Sequence, residues 1–327
     1  MQHAPTLAII GAGASGLMAA SEAQRQGIVC TVFDKARRAG GRMASRRSDW
    51  GPFNHGAPFI SMPASPTDAR LQRALSLGAS TLRLTDISGE LRSSLVPAET
   101  VNALAQRWTQ GLTCHFQHTL IALKHDGQSW WLQFSEQAEW RGPFDRVLLT
   151  CPPPQALALL SKLPSQYRLC QTLQAMHHAP AWSVRWVPSE PSSVDAGDFL
   201  RDDLRADGIA LCIREDRRPQ GTGAPRYTLH ASADWSTEHL EDSPEVAAHA
   251  LMEIAAKALR IPARAEYLEA HRWRYAWVSQ AAGEAFLRGA NGLFYAGDAC
   301  LGATVADALH SGLAAADALC AELALTA

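Results

Sequence analysis

After Thr6, apolar residues fill positions 7–10 without alternation and stop at a glycine, so 6–10 has the pattern of a short strand buried on both faces of a parallel sheet. Residues 17–26, rich in Ala, Glu, Gln and Arg, predict a helix, and 29–33 predict a second strand. Strand, glycine turn, helix and strand fit one βαβ unit. The pattern loosens after Ser48, where residues 50–66 carry four prolines and two glycines and predict a loop. Residues 113–123 and 129–134 alternate on either side of His125-Asp126-Gly127 and predict a β-hairpin. A further buried strand at 146–150 is closed by Cys151-Pro152-Pro153-Pro154 ahead of a short helix at 155–160. Strand-like pieces follow at 181–187, 209–213 and 227–231, then a helix at 244–259. The Arg-, Pro- and Gly-rich segment 215–226 predicts an exposed loop. Near the end, 293–296 repeats the buried-strand pattern, Gly297-Asp298 stops it, and Thr304 is set to cap an Ala-rich helix running to about residue 325.

These elements predict an α/β fold in two parts. A Rossmann-type nucleotide domain is assembled from residues 1–60, 97–160 and 271–327, and a mainly β substrate domain from 61–96 and 161–270. No internal repeat or low-complexity tract interrupts them.

Composition narrows the function classes. The 327 residues are 47% hydrophobic and 19% charged with a net charge of −2, so neither disorder nor a nucleic-acid surface is indicated. No stretch approaches the roughly 20 apolar residues of a membrane span, and the chain enters its first strand without a leader-like segment, so a cytoplasmic location is expected. Seven cysteines without a close pair read as reduced thiols, giving neither a redox pair nor a metal site. His115 and His118, three apart on an expected strand, would point to opposite faces. His177-His178 reads as a helix or loop surface feature, and Cys300 as a small buried packing residue.

The chemistry-bearing motif is Gly11-Ala12-Gly13-Ala14-Ser15-Gly16 between a strand and a helix. Its glycines allow a tight turn, close approach of a pyrophosphate and helix packing, while the N–H groups at Ala14 and Ser15 face the phosphates at the positive helix end. Asp34, closing the second strand, is placed to accept hydrogen bonds from ribose hydroxyls. Gly40-Gly41-Arg42-Met43 favours FAD over NAD, because two glycines let the backbone pass close to the cofactor and Arg42 can fork onto a pyrophosphate.

Asp34-Lys35 followed by Gly40-Gly41-Arg42-Met43 resembles the amine-oxidase-like flavoprotein superfamily. Residues 42–47 (RMASRR), Asn54-His55-Gly56-Ala57, Cys151 to Gln155, residues 232–240 (SADWSTEHL), 271–276 (HRWRYA) and Gly297-Asp298-Ala299-Cys300 stand in the order seen in renalase-like flavoproteins. That resemblance implies a para-hydroxybenzoate hydroxylase-like fold, noncovalent FAD, oxidation of misreduced dihydronicotinamide isomers, and oxygen as acceptor. It further implies that Gly11, Gly13, Gly16, Asp34, Lys35, Gly41, Arg42 and Met43 hold the ADP half, with Leu120 meeting adenine through its backbone. Gly297-Asp298 would meet the pyrophosphate and ribityl region, and the helix from Val305 would aim its positive end at the flavin pyrimidine. The chain departs from the family pattern beside the flavin, where Asp-x-Gly-Ala-Gln-Tyr is replaced by Asn54-His55-Gly56-Ala57-Pro58-Phe59. The segment between Phe59 and Val101 also looks shortened.

One dinucleotide fingerprint is visible, Gly221-Thr222-Gly223 fitting no such turn, so a nicotinamide would act directly as a substrate. The expected function is an FAD-dependent oxidase passing a hydride from a small reduced substrate to flavin and then to oxygen, giving hydrogen peroxide. An amine oxidase, a monooxygenase or a non-catalytic FAD-binding protein on the same scaffold are the alternatives. No catalytic acid or base emerges. The pocket candidates are His55, Arg272, Trp273 and Tyr275, alternation placing Trp273 and Tyr275 on one strand face and Arg272 and Arg274 on the other. Core packing is the competing role for the two aromatics.

Overall fold

The short apolar run Thr6–Ile10 becomes the centre of a parallel sheet, with Leu7, Ala8 and Ile9 wholly buried. The computed structural model describes residues 4–62, 68–75, 79–85, 89–98, 100–190, 200–219 and 221–326. Six strands lie in the order Leu287–Arg288, Leu293–Tyr295, Arg146–Leu149, Thr6–Ile10, Val29–Asp34 and Thr113–Phe116. All neighbours are parallel except the first pair. The helix Ala14–Arg25 follows the first strand, and the closing helix Val305–Thr326 packs on it. Gly312 makes that packing possible, since a Cβ there would run into the carbonyl oxygen of Ser15. Thr304 caps the closing helix reciprocally with Asp307: its hydroxyl accepts the Asp307 N–H at 3.0 Å, and its own N–H donates to the Asp307 carboxylate at 3.1 Å.

A three-stranded antiparallel sheet, Trp140–Phe144, Trp130–Phe134 and Leu120–His125, completes this unit and shares a core containing Phe33, Trp130, Phe134, Leu149, Leu160 and Tyr295. The expected hairpin is therefore formed by Leu120–His125 and Trp130–Phe134, while Thr113–Phe116 joins the parallel sheet instead. Gln117, at φ 57°, turns the chain between the two strands. That turn also corrects the reading of His115 and His118, whose ring centroids lie 5.4 Å apart.

The second unit is built on a five-stranded sheet in the order Leu200–Arg201, Ile209–Arg214, Tyr227–Ala231, His177–Pro188 and Ala265–Gln280. His177 and His178 thus begin a strand and are not a helix or loop feature. The helix Pro244–Leu259, capped by the Ser243 hydroxyl, buries Leu251, Met252 and Ala255 against Trp182, Val184, Trp186 and Leu229. The strands Arg46–Ser48 and Gly51–Phe53 pair within the segment expected to be a loop, and Ile60–Ser61 pairs with Leu91–Pro97. Residues 63–66 of that loop lie outside the described residues.

The two compact units comprise the described residues of 1–41, 105–177 and 278–327, and those of 42–104 and 178–277. Residues 42–60, 97–104 and 271–277, expected with the nucleotide domain, cluster with the sheet unit. The reasons are local: Trp50 and Phe53 lie 5.3 and 5.6 Å from the Tyr267 ring, and Asn54 binds both Glu215 and Val101. Residues 161–177 go the other way because Leu169, Leu173 and Met176 pack with Leu160. The segment 215–226, expected to be an exposed loop, is exposed at Arg217 and residues 222–224 but anchored inside at three charged residues: Glu215 is 2% exposed and Arg218 and Arg226 are each 3% exposed. Their charges are buried because each has found a partner.

Candidate flavin and substrate sites

The nucleotide turn is held from three sides. Gly11 donates its N–H to the Phe33 carbonyl at 2.8 Å, and one Asp34 oxygen accepts the Ala12 N–H at 2.6 Å. The other Asp34 oxygen accepts the Ala36 N–H at 2.7 Å. The Thr150 hydroxyl donates to the Ile10 carbonyl at 2.9 Å, and a Cβ at Gly11, whose φ is +118°, would strike it. At Gly16 a Cβ would strike the Gly11 carbonyl, whereas at Gly13 it would meet nothing within 4 Å. Two of the three fingerprint glycines are thus required by the protein's own packing, and Gly13 alone opens onto free space.

Around that opening the chain gathers donors. The first-turn N–H groups at Ala14, Ser15 and Gly16 precede the first helical acceptor, no acidic residue occupies the turn, and the buried Ser15 hydroxyl has no hydrogen-bond partner among the described residues. Gly40 donates to the Ala12 carbonyl at 2.9 Å, bringing Gly41, at φ +52°, beside Gly13. Lys35 contacts Gln155 at 3.1 Å. The Asp34 carbonyl accepts the His118 N–H at 2.9 Å, which seats the start of the Leu120 strand next to the acidic residue. Sequence reasoning missed Thr150, because a hydroxyl at a strand end carries no distinctive spacing.

At the other end of the same unit, Gly297 donates its N–H to the Ser311 hydroxyl at 2.9 Å, and Asp298 opens the short buried helix Asp298–Leu301. Val305 begins the closing helix three residues beyond Gly302. Cys300 is fully buried and its thiol is pushed up to about 12 by burial, which makes it a packing residue and not a nucleophile.

In the second unit, residues 42–44 and 54–57 are stitched together. Ala57 donates to the Arg42 carbonyl at 2.8 Å and Gly56 to the Ala44 carbonyl at 3.0 Å, and any Cβ at Gly56 would collide with the Arg42 carbonyl. Met43 is buried, and the Arg42 guanidinium donates to the Ala276 carbonyl at 3.2 Å. Asn54, one of the departures from the family pattern, is a structural residue bonded to Glu215. Its neighbour His55 stacks on Trp273, centroids 5.6 Å apart at 23°, while the Trp273 indole donates to the His55 carbonyl at 3.0 Å. Burial first, then the Arg185 guanidinium, lowers the His55 pKa to about 3, so the imidazole is neutral at pH 7.

Alternation along Ala265–Gln280 holds. Trp273 meets His55, and Tyr275 meets the ring of His178 at 6.4 Å. Arg272 donates to the Leu240 carbonyl at 2.6 Å, and Arg274 binds Glu241 at 2.9 and 3.0 Å. The structure brings His55, Trp273 and His271 together and sets Arg272 apart from them. Among the described residues no cluster of His, Cys, Asp or Glu could hold a metal ion, and no helix is long and apolar enough to cross a membrane.

Residues 9–92 match the NAD(P)-binding Rossmann-like domain family, and residues 59–320, most of the chain, match the flavin containing amine oxidoreductase family. The chain belongs to the flavin containing amine oxidoreductases. Cyclohexylamine oxidase from Brevibacterium oxydans superposes with a TM-score of 0.72 at 13% identity, covering 98% of this chain and 100% of that one. The CLA-producing fatty acid isomerase from P. acnes superposes with a TM-score of 0.70 at 11% identity, covering 94% and 97%. At such identities the likeness is one of fold. A 57-residue stretch is 40% identical to 4,4'-diapophytoene desaturase (4,4'-diaponeurosporene-forming) of Staphylococcus aureus (strain Newman), covering 17% of this chain and 11% of that enzyme.

As a flavin containing amine oxidoreductase the protein is an FAD-dependent enzyme. The residues present fit that cofactor: the open side of Gly13, the Ser15 hydroxyl, which has no partner among the described residues, and the first-turn helix N–H groups could cradle a pyrophosphate, with the Asp34 carboxylate beside them.

Proposed function

We propose that this amine oxidoreductase is a renalase-like oxidase. It takes a hydride from a small reduced substrate of the dihydronicotinamide class, with oxygen as the final acceptor and hydrogen peroxide as the product. Bound FAD supplies the two-electron chemistry. In this reading Gly11, Gly13, Ala14, Ser15, Gly16, Gly40 and Gly41 hold the pyrophosphate, while Asp34 and Lys35 serve the ribose end and Leu120 the adenine. Arg42, Met43, His55, Gly56 and Ala57 also serve the cofactor in this reading, and Gly297, Asp298 and Val305 serve the ribityl and pyrimidine end.

The observation that carries the reading is the aromatic row His271, Trp273 and Tyr275 on one face of Ala265–Gln280, lying with residues whose basicity is suppressed. Glu269 is bound by Arg185 at 2.7 Å and Glu215 by Arg218 at 3.1 Å, and His55, with its pKa near 3, is a weak proton acceptor. Hydride departure from a dihydropyridine requires orientation and no strong base, because the ring nitrogen lone pair drives it. Trp273 and Tyr275 supply flat surface for such a ring. Arg272, held by Leu240 and Glu241, is a structural residue in this reading and not a phosphate anchor.

The test is anaerobic mixing of the purified holoprotein with separate dihydronicotinamide isomers, following loss of the flavin absorbance, then admission of oxygen with assay of peroxide. Bleaching by one isomer and one peroxide per turnover support the proposal. Bleaching by a primary amine with none by any dihydronicotinamide would replace it with an amine oxidase.

A further inference from the structure

The five-stranded sheet has one face packed by the helix Pro244–Leu259 and a second face that is apolar at Leu211 and Ile213, which cluster with Phe59 and Val96, and polar along the next two strands. Ser183 and Arg185 alternate along their strand with the buried Trp182, Val184 and Trp186, and opposite them stand His230 and Thr228. Both carboxylates in this layer carry partners, Glu215 on both oxygens and Glu269 on Oε2. Glu215 accepts from the Asn54 backbone at 2.7 Å, the Asn54 amide at 3.1 Å, the Thr228 hydroxyl at 2.7 Å and Arg218 at 3.1 Å. Glu269 accepts from Arg185 at 2.7 Å and from the Tyr267 hydroxyl.

His55 stands differently. It is 9% exposed, stacked on Trp273 and edge-on to His271 at 5.2 Å, yet its buried Nδ1 has no hydrogen-bond partner among the described residues. A bare polar atom in such a place costs stability unless something fills it. Protonation cannot satisfy the ring, because burial and Arg185 keep it neutral. A neutral imidazole offers one donor and one acceptor, matched to groups that are polar and uncharged. A protonated amine would find Glu215 occupied on both oxygens, Glu269 already neutralised by Arg185, and the Arg185 guanidinium presenting like charge.

We infer that His55 is the specificity-determining contact for an uncharged polar group on the substrate, a carboxamide carried by a planar reduced heterocycle, and that the layer around it rejects protonated amines. This rests on the hydride-donor reading above. The internal alternative is a pairing with His230, whose buried Nε2 is likewise without a partner among the described residues.

The experiment uses the holoenzyme and two probes. Nicotinamide, which cannot donate a hydride, is titrated against the flavin absorbance band, and benzyl dihydronicotinamide is used to reduce the flavin without oxygen. His55→Phe keeps the stacking and removes the hydrogen bond, so the apparent Kd for both probes rises about 10-fold, the equivalent of about 1.4 kcal/mol. His55→Gln recovers part of the affinity. FAD content and thermal midpoint are measured on each variant to exclude misfolding. Equal Kd values for parent and correctly folded His55→Phe overturn the inference, as does benzylammonium binding as well as nicotinamide. If the parent binds nicotinamide through His55 but no dihydronicotinamide reduces it, the contact stands and the hydride-donor reading falls.

Discussion

Asn54 donates its backbone N–H and its side-chain amide to the two oxygens of Glu215, at 2.7 and 3.1 Å. The Asn54 side-chain Oδ1 meanwhile accepts the Val101 N–H at 2.9 Å, so three distant stretches of chain meet at one buried amide. Glu215→Ala leaves Arg218 buried without its counter-charge and strands several donors. The expected loss is about 3–5 kcal/mol of stability. Glu215→Gln, which keeps the shape, should lose less. Urea unfolding of the FAD-loaded variants checks this, and a loss under about 1 kcal/mol for the alanine variant would show the network to be dispensable.

The fingerprint glycines predict opposite phenotypes. Gly16→Ala forces a methyl into the Gly11 carbonyl and should give a poorly folded protein, whereas Gly13→Ala has open space and should fold with an apo-protein melting point within a few degrees of the parent. Its methyl occupies the space a pyrophosphate would take, so FAD affinity should drop by about 10-fold or more. Retention of FAD by Gly13→Ala, measured by release into a filtrate, would move the cofactor elsewhere.

Asp34 uses one oxygen on Ala12 and the other on Ala36, so it shapes the turn besides being the proposed ribose contact. Asp34→Ala should weaken FAD binding by about 10- to 100-fold, the range of losing charge-assisted hydrogen bonds. Asp34→Asn should fall between. Equal affinity in all three proteins, by flavin fluorescence titration, would count against the assignment.

Acid should destabilise the fold earlier than ordinary carboxylate titration requires. Burial lowers His55 to about 3 and His230 to about 4 from 6.5. Both folded values lie below the unfolded one, so the unfolded chain takes up protons that the folded chain refuses. Their contribution is intact above pH 6.5 and is lost as pH falls toward 3–4. At 1.36 kcal/mol per unit, each histidine withdraws on the order of 3–5 kcal/mol by the end of that window. Urea midpoints between about pH 7 and pH 5 should fall with a slope near two protons, and His55→Phe should remove about one. A flat profile contradicts the burial of both rings.

What was legible in the sequence was what is locally encoded. The turn at Gly11 to Gly16, Asp34 at the strand end, the cap at Thr304 and the bounds Thr6–Ile10, Tyr227–Ala231 and Pro244–Leu259 each depend on neighbours a few residues away. Alternation likewise gave the two faces of Ala265–Gln280. The segment 215–226 was misread because its charges look solvated until partners from residues 52–58 are known. His115 and His118 failed the alternation rule because their strand ends at Phe116 and a left-handed Gln117 folds the chain back. Nothing in the spacing of Asn54 or Thr150 marks them as the residues that close buried hydrogen-bond networks.

Gly312 packs against Ser15, so the helix that opens the nucleotide cradle takes its neighbour from the far end of the sequence. On the ribosome this fixes an order of events. The first strand and helix emerge early and cannot be covered until residue 312 has been made, while every residue of the sheet unit, which ends at 277, has emerged before then. The unit begun first is therefore the one finished last.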